Sequence, residues 1–216
     1  MASQLSIRQW LESTKSSGMA LGLGNTRAIL SSLDVKLDDT RVIHVAGSNG
    51  KGTLCSLLAA SITLNGDSNI FFSSPHLCRI EERVRVNGVP VSPNQFDGAL
   101  NTVRDTAKQL SINPTFFETT FLTAMVIAAE LQPRYLILET GLGGRLDATR
   151  CAPADLAVLT AIAEEHTDIL GEDIYQIIRE KAAIARPGKP LIARKMPIKN
   201  YENTVVNYTQ ESANTK

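Results

Sequence analysis

The stretch RVIHVAGSNGKGT, residues 41–53, decides the fold class of this chain. Its apolar, partly β-branched first half ends in glycine, which predicts a buried strand over residues 41–47. A glycine-rich loop follows, and a helical pattern begins at Gly52. Strand, loop and helix in this order are typical of a phosphate-binding loop, because backbone N–H groups and a helix N-terminus attract anions. We therefore expect this segment to bind a phosphorylated ligand.

The rest of the chain continues the same alternation of strands and helices. Further apolar runs predict strands over residues 69–73, 134–141, 155–162 and 189–193. Helical patterns cover residues 52–64, 93–110, 118–131 and 173–185. Strands that are apolar on both faces and alternate with helices predict an α/β fold, with a mostly parallel sheet flanked by helices. In such a sheet, ligands bind beyond the carboxyl ends of the strands.

Composition excludes several classes of protein. The 216 residues carry 22 Lys and Arg against 22 Asp and Glu, so no overall basic field favours nucleic acid as the main partner. A hydrophobic content of 43% without a long apolar run argues against both disorder and a membrane protein. Cys55, Cys78 and Cys151 form no CxxC pair, which favours reduced thiols. We expect a cytoplasmic protein without a membrane or nucleic-acid partner.

Three regions are expected along the chain. Residues 1–40 read as a helical segment packed on the main domain, with a glycine-rich turn, LGLGN, that by itself favours a helix-to-helix connection. Residues 41–199 form the predicted main domain, which contains the candidate phosphate loop. Residues 200–216 are polar, and we expect a frayed tail there.

The candidate phosphate loop has a definite set of groups. Its cradle would be formed by Gly47, Asn49, Gly50, Lys51 and Gly52, with the Thr53 hydroxyl on a metal ion. The spacing differs from the common GxxxxGK[ST] pattern, so a tight strand-to-helix turn without a ligand stays open as an alternative.

Three charged or polar side chains follow other predicted strands. Glu139 ends an apolar strand, where a magnesium ion shared with Thr53 would stabilise its carboxylate; the alternative is a salt bridge to Arg145. His166 lies beyond a third strand end, which favours metal binding over a surface or capping role. Lys181 lies among apolar residues of a predicted helix, where its stem would cover apolar surface while its amine stays in water.

Seven motifs, read in order, resemble one known family. They are GSNGKGT, FFSSPHL, ERVRVNG, TFFETTFLTA, ETGLGGRLDAT, TAIAEEHTDILGED and REKAAI. Together they resemble the folylpolyglutamate synthase/dihydrofolate synthase family of the Mur ligase superfamily, from about residue 22 to about residue 193. The resemblance implies the P-loop central domain of a Mur-type ligase. It further implies that ATP phosphorylates the carboxylate of a dihydropteroate or reduced folate, and that the amino group of L-glutamate displaces the phosphate.

The resemblance also implies roles for single residues. Asn49 to Gly52 match the nucleotide loop, while Thr53 and Glu139 match a first magnesium site. His166 matches a ligand of a second magnesium ion. Lys181 matches a lysine that the family carbamylates, which replaces the interpretation of that side chain given above. The residues that match substrate contacts are Ser74, Pro75, His76, Thr115, Phe116, Phe117, Glu118, Leu146, Asp147 and Ala148.

Some positions depart from the family pattern. Gly24 and Asn25 replace a usual charged pair, which weakens any pterin contact by the LGLGN turn. Glu165 replaces the usual Asp before the histidine, and Ala183 replaces a glycine after Lys181. Ser48 and Thr53 exchange the usual hydroxyl residues.

Nothing after about residue 193 matches the family's C-terminal, glutamate-binding domain. We therefore expect a shortened ligase, with a separate C-terminal half as a potential partner. The alternative is an ATP-binding fragment or partner subunit without ligase activity. A peptidoglycan-precursor Mur ligase is a third hypothesis, against which the SSPHL and ETGLGGRLDAT segments argue.

Overall fold

The computed structural model describes residues 6–18 and 22–214. In this part of the chain seven strands form one sheet, in the order β4–β3–β2–β5–β1–β6–β7. The strands are β1 (Arg41–Ala46), β2 (Asn69–Phe72), β3 (Val84–Val86), β4 (Val89–Pro90), β5 (Tyr135–Glu139), β6 (Leu156–Leu159) and β7 (Leu191–Ala193). Strands β2, β5, β1, β6 and β7 run parallel. These are the five predicted strands, each shorter than its predicted segment, and the predicted α/β class is confirmed.

Helices cover both faces of the sheet. They are α1 (Ile7–Ser13), α2 (Gly24–Ser32), α3 (Lys51–Leu64), α4 (Pro93–Gln109), α5 (Phe116–Leu131), α6 (Thr167–Leu170), α7 (Ile174–Ala182) and α8 (Lys199–Asn214). Side chains alternate along a strand, so Ile43 and Val45 of β1 pack towards α3, while Val42 belongs to the core beneath α4 and α5. Helices α7 and α8 cover Ala157 and Leu159 of β6.

The hairpin β3–β4 was absent from the predicted strands. Its two strands pair antiparallel across a two-residue Asn87–Gly88 turn, and both turn residues have positive φ, 49° and 84°. An Asn-Gly pair favours this turn because both residues tolerate the left-handed conformation. The hairpin extends the parallel sheet beyond β2.

The prediction of a frayed tail at residues 200–216 is wrong for residues 200–214, which belong to α8. Tyr201, Val205 and Tyr208 are spaced four and three residues apart, so they lie on one helix face and pack against the core under α7. Val205 is 4% exposed, and the Tyr201 ring contacts Tyr175 edge-on at a centroid distance of 5.4 Å. Polar residues between these positions hid the helical period in the sequence.

The N-terminal helices pack on the main core. Leu11 of α1 and Ile29 of α2 are buried in the cluster that α4 and α5 form with the sheet. In the LGLGN turn, Leu21 lies outside the described residues, and Gly24 is the first residue of α2. No helix in residues 6–18 or 22–214 is long and apolar enough to cross a lipid bilayer.

Candidate functional site

The loop after β1 is tied to the loop after β6. The Ala161 carbonyl accepts hydrogen bonds from the Ser48 N–H at 2.7 Å and the Asn49 N–H at 3.3 Å. The Ser48 hydroxyl donates to the Ala163 carbonyl and accepts from the Ala163 N–H, both at 3.0 Å. These hydrogen bonds hold the two loops together. Because β1 and β6 are parallel neighbours, both loops lie at the same carboxyl edge of the sheet.

The loop 47–50 leads directly into α3 and leaves its N-terminus open. Gly47 has φ +149° and packs so closely that an added Cβ would collide with the Thr160 hydroxyl. No side chain caps the first turn of α3. The Lys51 ammonium lies over the loop, donating to the carbonyls of Gly47 at 2.6 Å and Ser48 at 3.2 Å. Open N–H groups with a lysine beside them form a site suited to an anion such as phosphate.

Glu139 lies between this loop and the neighbouring strand end. The residue is 7% exposed, and a methyl group added at Gly52 would lie 3.3 Å from its Oε1. Burial raises the pKa of Glu139, while Lys51, the nearby backbone N–H of Ser74 and Arg85 lower it less strongly. Glu139 takes part in none of the ion pairs between described residues. A buried carboxylate in this position is suited to a cation that binds together with the phosphate ligand.

The alternative of a Glu139–Arg145 salt bridge is wrong. The Arg145 Nε instead lies 2.6 Å from Glu180 Oε1. Glu180 belongs to α7, so this ion pair joins the loop after β5 to that helix.

The predicted metal ligands do not form a preassembled centre. Thr53 is exposed on the first turn of α3, and His166 is exposed just before α6, with φ 47°. Within the described ranges, no three His, Cys, Asp or Glu side chains lie close enough together to hold a metal ion. Magnesium sites commonly take ligands from substrate phosphates and water as well. The metal roles of Thr53, Glu139, His166 and Lys181 therefore stay predictions.

Lys181 is buried beside the phosphate loop. The residue is 1% exposed, and its Nζ lies 2.7 Å from Glu165 Oε1 and 3.3 Å from the Gly47 carbonyl oxygen. The first interpretation, a lysine with its amine in water, is wrong because the whole side chain is enclosed. Burial lowers the pKa of Lys181, and Glu165 opposes that shift. The tertiary structure thus brings this helix residue to the site formed by the strand ends.

A cavity of about 630 Å³ opens beyond the carboxyl ends of β2 and β5, where Ser74 and Gly141 line it; Glu139 itself is not a lining residue. Its walls include the aromatic rings of Phe116 and Phe117 and the cationic side chains Lys15, Arg83 and Arg145. The predicted substrate residues on these walls are Ser74, Pro75, Thr115, Phe116, Phe117, Glu118, Leu146, Asp147 and Ala148. His76 is the predicted substrate residue missing from the walls; its Nδ1 accepts a hydrogen bond from Arg83 Nε at 2.9 Å. Their binding roles stay predictions, but nine separate positions do meet around one cavity.

Two carboxylates of this wall also organise the backbone. Glu118 Oε2 accepts from the N–H and the hydroxyl of Thr115 at 2.8 and 2.9 Å, which caps the N-terminus of α5. Asp147 Oδ2 accepts from the N–H groups of Gly141 and Leu142, both at 3.0 Å. Each carboxylate therefore holds part of the backbone of the cavity wall in place.

Two cationic residues of the cavity were missed in the sequence. Arg83 Cζ lies 5.2 Å from the centroid of the Phe116 ring, and Lys15 Nζ lies 4.9 Å from the same centroid. Both distances fall in the range of cation–π interactions. Arg83 lies within the ERVRVNG motif, but nothing in the local sequence indicates that it reaches Phe116.

Comparisons with known proteins agree with this geometry. No protein-family profile matches the chain. The dihydrofolate synthase/folylpolyglutamate synthase of Escherichia coli is 40% identical over 183 residues, which cover 85% of this chain and 43% of that protein. The structure of E. coli FolC in complex with DHPP and ADP superposes with a TM-score of 0.87 and 37% identity, covering 97% of this chain and 50% of that one.

A second solved structure leads to the same relatives. It is a bifunctional folylpolyglutamate synthase/dihydrofolate synthase with Mn, AMPPNP and L-glutamate bound, with a TM-score of 0.85 and 34% identity over 97% of this chain and 50% of that one. This chain is homologous to the folylpolyglutamate synthases/dihydrofolate synthases. It spans about half the length of the relatives that it matches.

Proposed function

We propose that this chain is the nucleotide- and pterin-binding part of an ATP-dependent ligase that joins L-glutamate to a dihydropteroate or a reduced folate. The observation that carries the proposal is the position of Glu139. Its carboxylate lies against Gly52 of the phosphate loop, and the backbone N–H of Ser74, a residue of the cavity wall, lies near enough to oppose the rise of its pKa. A nucleotide on the loop and a carboxylate substrate in the cavity would therefore meet at Glu139, as phosphoryl transfer requires.

The residues present fit magnesium and ATP. Glu139 and the Thr53 hydroxyl offer the oxygen ligands that Mg²⁺ prefers, and His166 is the proposed ligand of a second ion. Bound magnesium would offset the negative charge of the phosphates. Lys51 would exchange its bonds to the Gly47 and Ser48 carbonyls for bonds to phosphate oxygens. Two homologous structures contain ADP or AMPPNP, and one of these also contains Mn.

We also propose that Lys181 is carbamylated. Burial lowers the pKa of its amine, which favours the neutral form that adds CO₂ to nitrogen with loss of a proton. The product is an anion, so Glu165 would have to leave its present position 2.7 Å from Nζ. We expect a carbamate carbon signal in NMR spectra of the chain in ¹³C-labelled bicarbonate. The signal should be missing in Lys181→Ala, and a wild-type spectrum without it would contradict the modification.

Binding and turnover test the proposal separately. Calorimetry should detect binding of ADP with Mg²⁺ and of a dihydropteroate; a folded chain that binds neither would refute the function. Because the chain spans about half of its relatives, we expect little glutamate-dependent ADP release with dihydropteroate or tetrahydrofolate. Robust release by the purified chain would show that it is a complete ligase rather than a binding part.

Substrate competition separates the folate ligase from a peptidoglycan-precursor ligase. A pteroate should bind more tightly than a UDP-linked muramyl compound, and the opposite order would overturn the choice of substrate. We place the chain in the cytoplasm, which agrees with its three free cysteines, Cys55, Cys78 and Cys151. Its proposed partner for complete activity is a separate C-terminal half.

A further inference from the structure

His44 lies in a buried polar network behind the cavity. It belongs to β1 and is fully buried. Its Nε2 lies 2.8 Å from the Thr149 hydroxyl oxygen and 3.0 Å from the Thr140 hydroxyl oxygen. Its Nδ1 has no hydrogen-bond partner among the residues that the structure describes. Since an unpaired buried polar atom costs free energy that an apolar side chain would avoid, packing alone does not explain a histidine here.

The two threonines bracket one loop of the cavity. Thr140 immediately precedes residues 141–148 and Thr149 immediately follows them. Both hydroxyls meet at the same nitrogen of His44. His44 therefore joins the two ends of the loop at its base.

The hydrogen bonds determine which nitrogen of His44 carries the proton. The Thr149 hydroxyl donates to Asp147 Oδ1, which also accepts the Thr149 N–H at 3.0 Å. A hydroxyl has one proton, so the Thr149 oxygen can only accept from His44; Nε2 is therefore the donor, and the oxygens of Thr149 and Thr140 share its one proton. Burial, with Arg186 and Arg150 nearby, lowers the pKa of His44 to about 3, which keeps the ring neutral near pH 7.

Asp147 connects this hydrogen-bond network to the cavity wall. Its other oxygen, Oδ2, holds the N–H groups of Gly141 and Leu142 at 3.0 Å, and both residues line the cavity. If Nε2 lacked its proton, the Thr149 hydroxyl could donate to His44 instead, and Asp147 would lose one of its donors. The tautomer of His44 thus determines how completely Asp147 is held.

We propose that His44, with its proton on Nε2, is a positioning residue for the cavity loop 141–148, acting through Thr140, Thr149 and Asp147. Only its consequence for ligand binding rests on the proposed function, which takes the cavity as the pteroate site. The hydrogen bonds of His44 lead to this loop rather than to residues 47–53, although β1 also leads into the phosphate loop. A change at His44 should therefore affect a cavity ligand more than a nucleotide.

Two variants of the full chain test this role. His44→Leu introduces an apolar side chain of similar size that has no hydrogen-bond donor. His44→Gln instead places an amide donor near the position of Nε2. In His44→Leu we expect amide exchange at Gly141 and Leu142 to accelerate about tenfold, and dihydropteroate affinity to fall about tenfold. Affinity for ADP should stay within about twofold of wild type, and His44→Gln should recover most of both losses.

NMR of the wild-type chain tests the tautomer of His44 directly. Two-bond ¹H–¹⁵N spectra should show His44 protonated at Nε2, and protonation at Nδ1 would overturn the proposal. Unchanged exchange at Gly141 and Leu142 in a folded His44→Leu would overturn it, as would equal losses of pteroate and ADP binding. If wild type binds no pteroate, the proposed function fails, and the tautomer and exchange data still decide the role of His44. If His44→Leu does not fold, the tautomer and His44→Gln decide it.

Discussion

Replacing Lys51 by methionine should weaken nucleotide binding strongly. Methionine keeps a flexible apolar stem and removes only the ammonium group. In the free chain this group donates to the carbonyls of Gly47 and Ser48, at 2.6 and 3.2 Å. On nucleotide binding the same donors would turn to charged phosphate oxygens, where a hydrogen bond contributes about 1.5–3 kcal/mol, against about 1 kcal/mol for a bond between neutral partners.

The expected loss of ADP affinity follows from the hydrogen bonds that Lys51 makes in the free and in the bound chain. Two bonds to phosphate, less the two given up to the loop, leave a net loss of about 1–4 kcal/mol, or about 5- to 1000-fold in affinity. Isothermal calorimetry with ADP and Mg²⁺ measures it directly. Lys15→Met is the matched control, because Lys15 is half exposed, pairs with Glu12 and lies beside Phe116. It should leave ADP affinity within about twofold of wild type.

The result that would refute this reasoning is an unchanged ADP affinity in a folded Lys51→Met chain. Residues 47–53 would then be only a strand-to-helix turn, the alternative that their unusual spacing left open. Urea unfolding of both variants checks that any loss of binding comes from the site and not from the fold.

Three further predictions concern the core, the buried histidine and the metal. Val205→Ala should lower the free energy of unfolding by about 1–3 kcal/mol, whereas the half-exposed Val206→Ala should change it by less than about 0.5 kcal/mol; equal effects in urea unfolding would contradict the packing of α8. The pKa of His44 is about 3 in the folded chain, against 6.5 for a free histidine side chain. Between these two pH values only the unfolded chain binds a proton at His44, so the stability that the neutral ring contributes at pH 7 is lost as the pH falls. By pH 5 this loss is about 2 kcal/mol, and urea unfolding of His44→Gln at pH 7 and pH 5 should lack it; an unchanged pH dependence would count against the shift. Glu139→Gln should weaken ATP binding with Mg²⁺ more than without it in calorimetry, and equal losses would argue against a metal ligand.

The main elements could be predicted because their signals are local. Apolar runs ending in glycine mark β1 and β5, and the α/β alternation follows from the helical patterns between such runs. The Ser92 and Thr115 caps begin α4 and α5 within two residues of the predicted starts. Ten substrate residues were predicted from the motifs that carry the family resemblance, and the structure brings nine of them together around one cavity.

The missed features depend on distant contacts or on weak local patterns. Helix α8 has only a narrow apolar stripe, which becomes a recognisable face once α7 lies beside it. The pairing of Lys181 with Glu165 joins positions 16 residues apart, so neither residue signals it alone. A histidine inside a strand such as His44 has no local sign of a role, because its partners Thr140 and Thr149 come from another part of the chain.

By itself, the sequence determined the fold class, the strand–loop–helix order at residues 41–53 and the set of candidate residues, because hydrophobic period, glycine positions and motif order are properties of short segments. Only the tertiary structure decided that Glu139 lies free of Arg145, that Lys181 is enclosed beside Gly47, and that His44 joins the ends of the cavity loop. These depend on which strands become neighbours and on which side chains lose contact with water. Burial then changes their pKa values and hydrogen-bond partners, and no local pattern of residues carries that information.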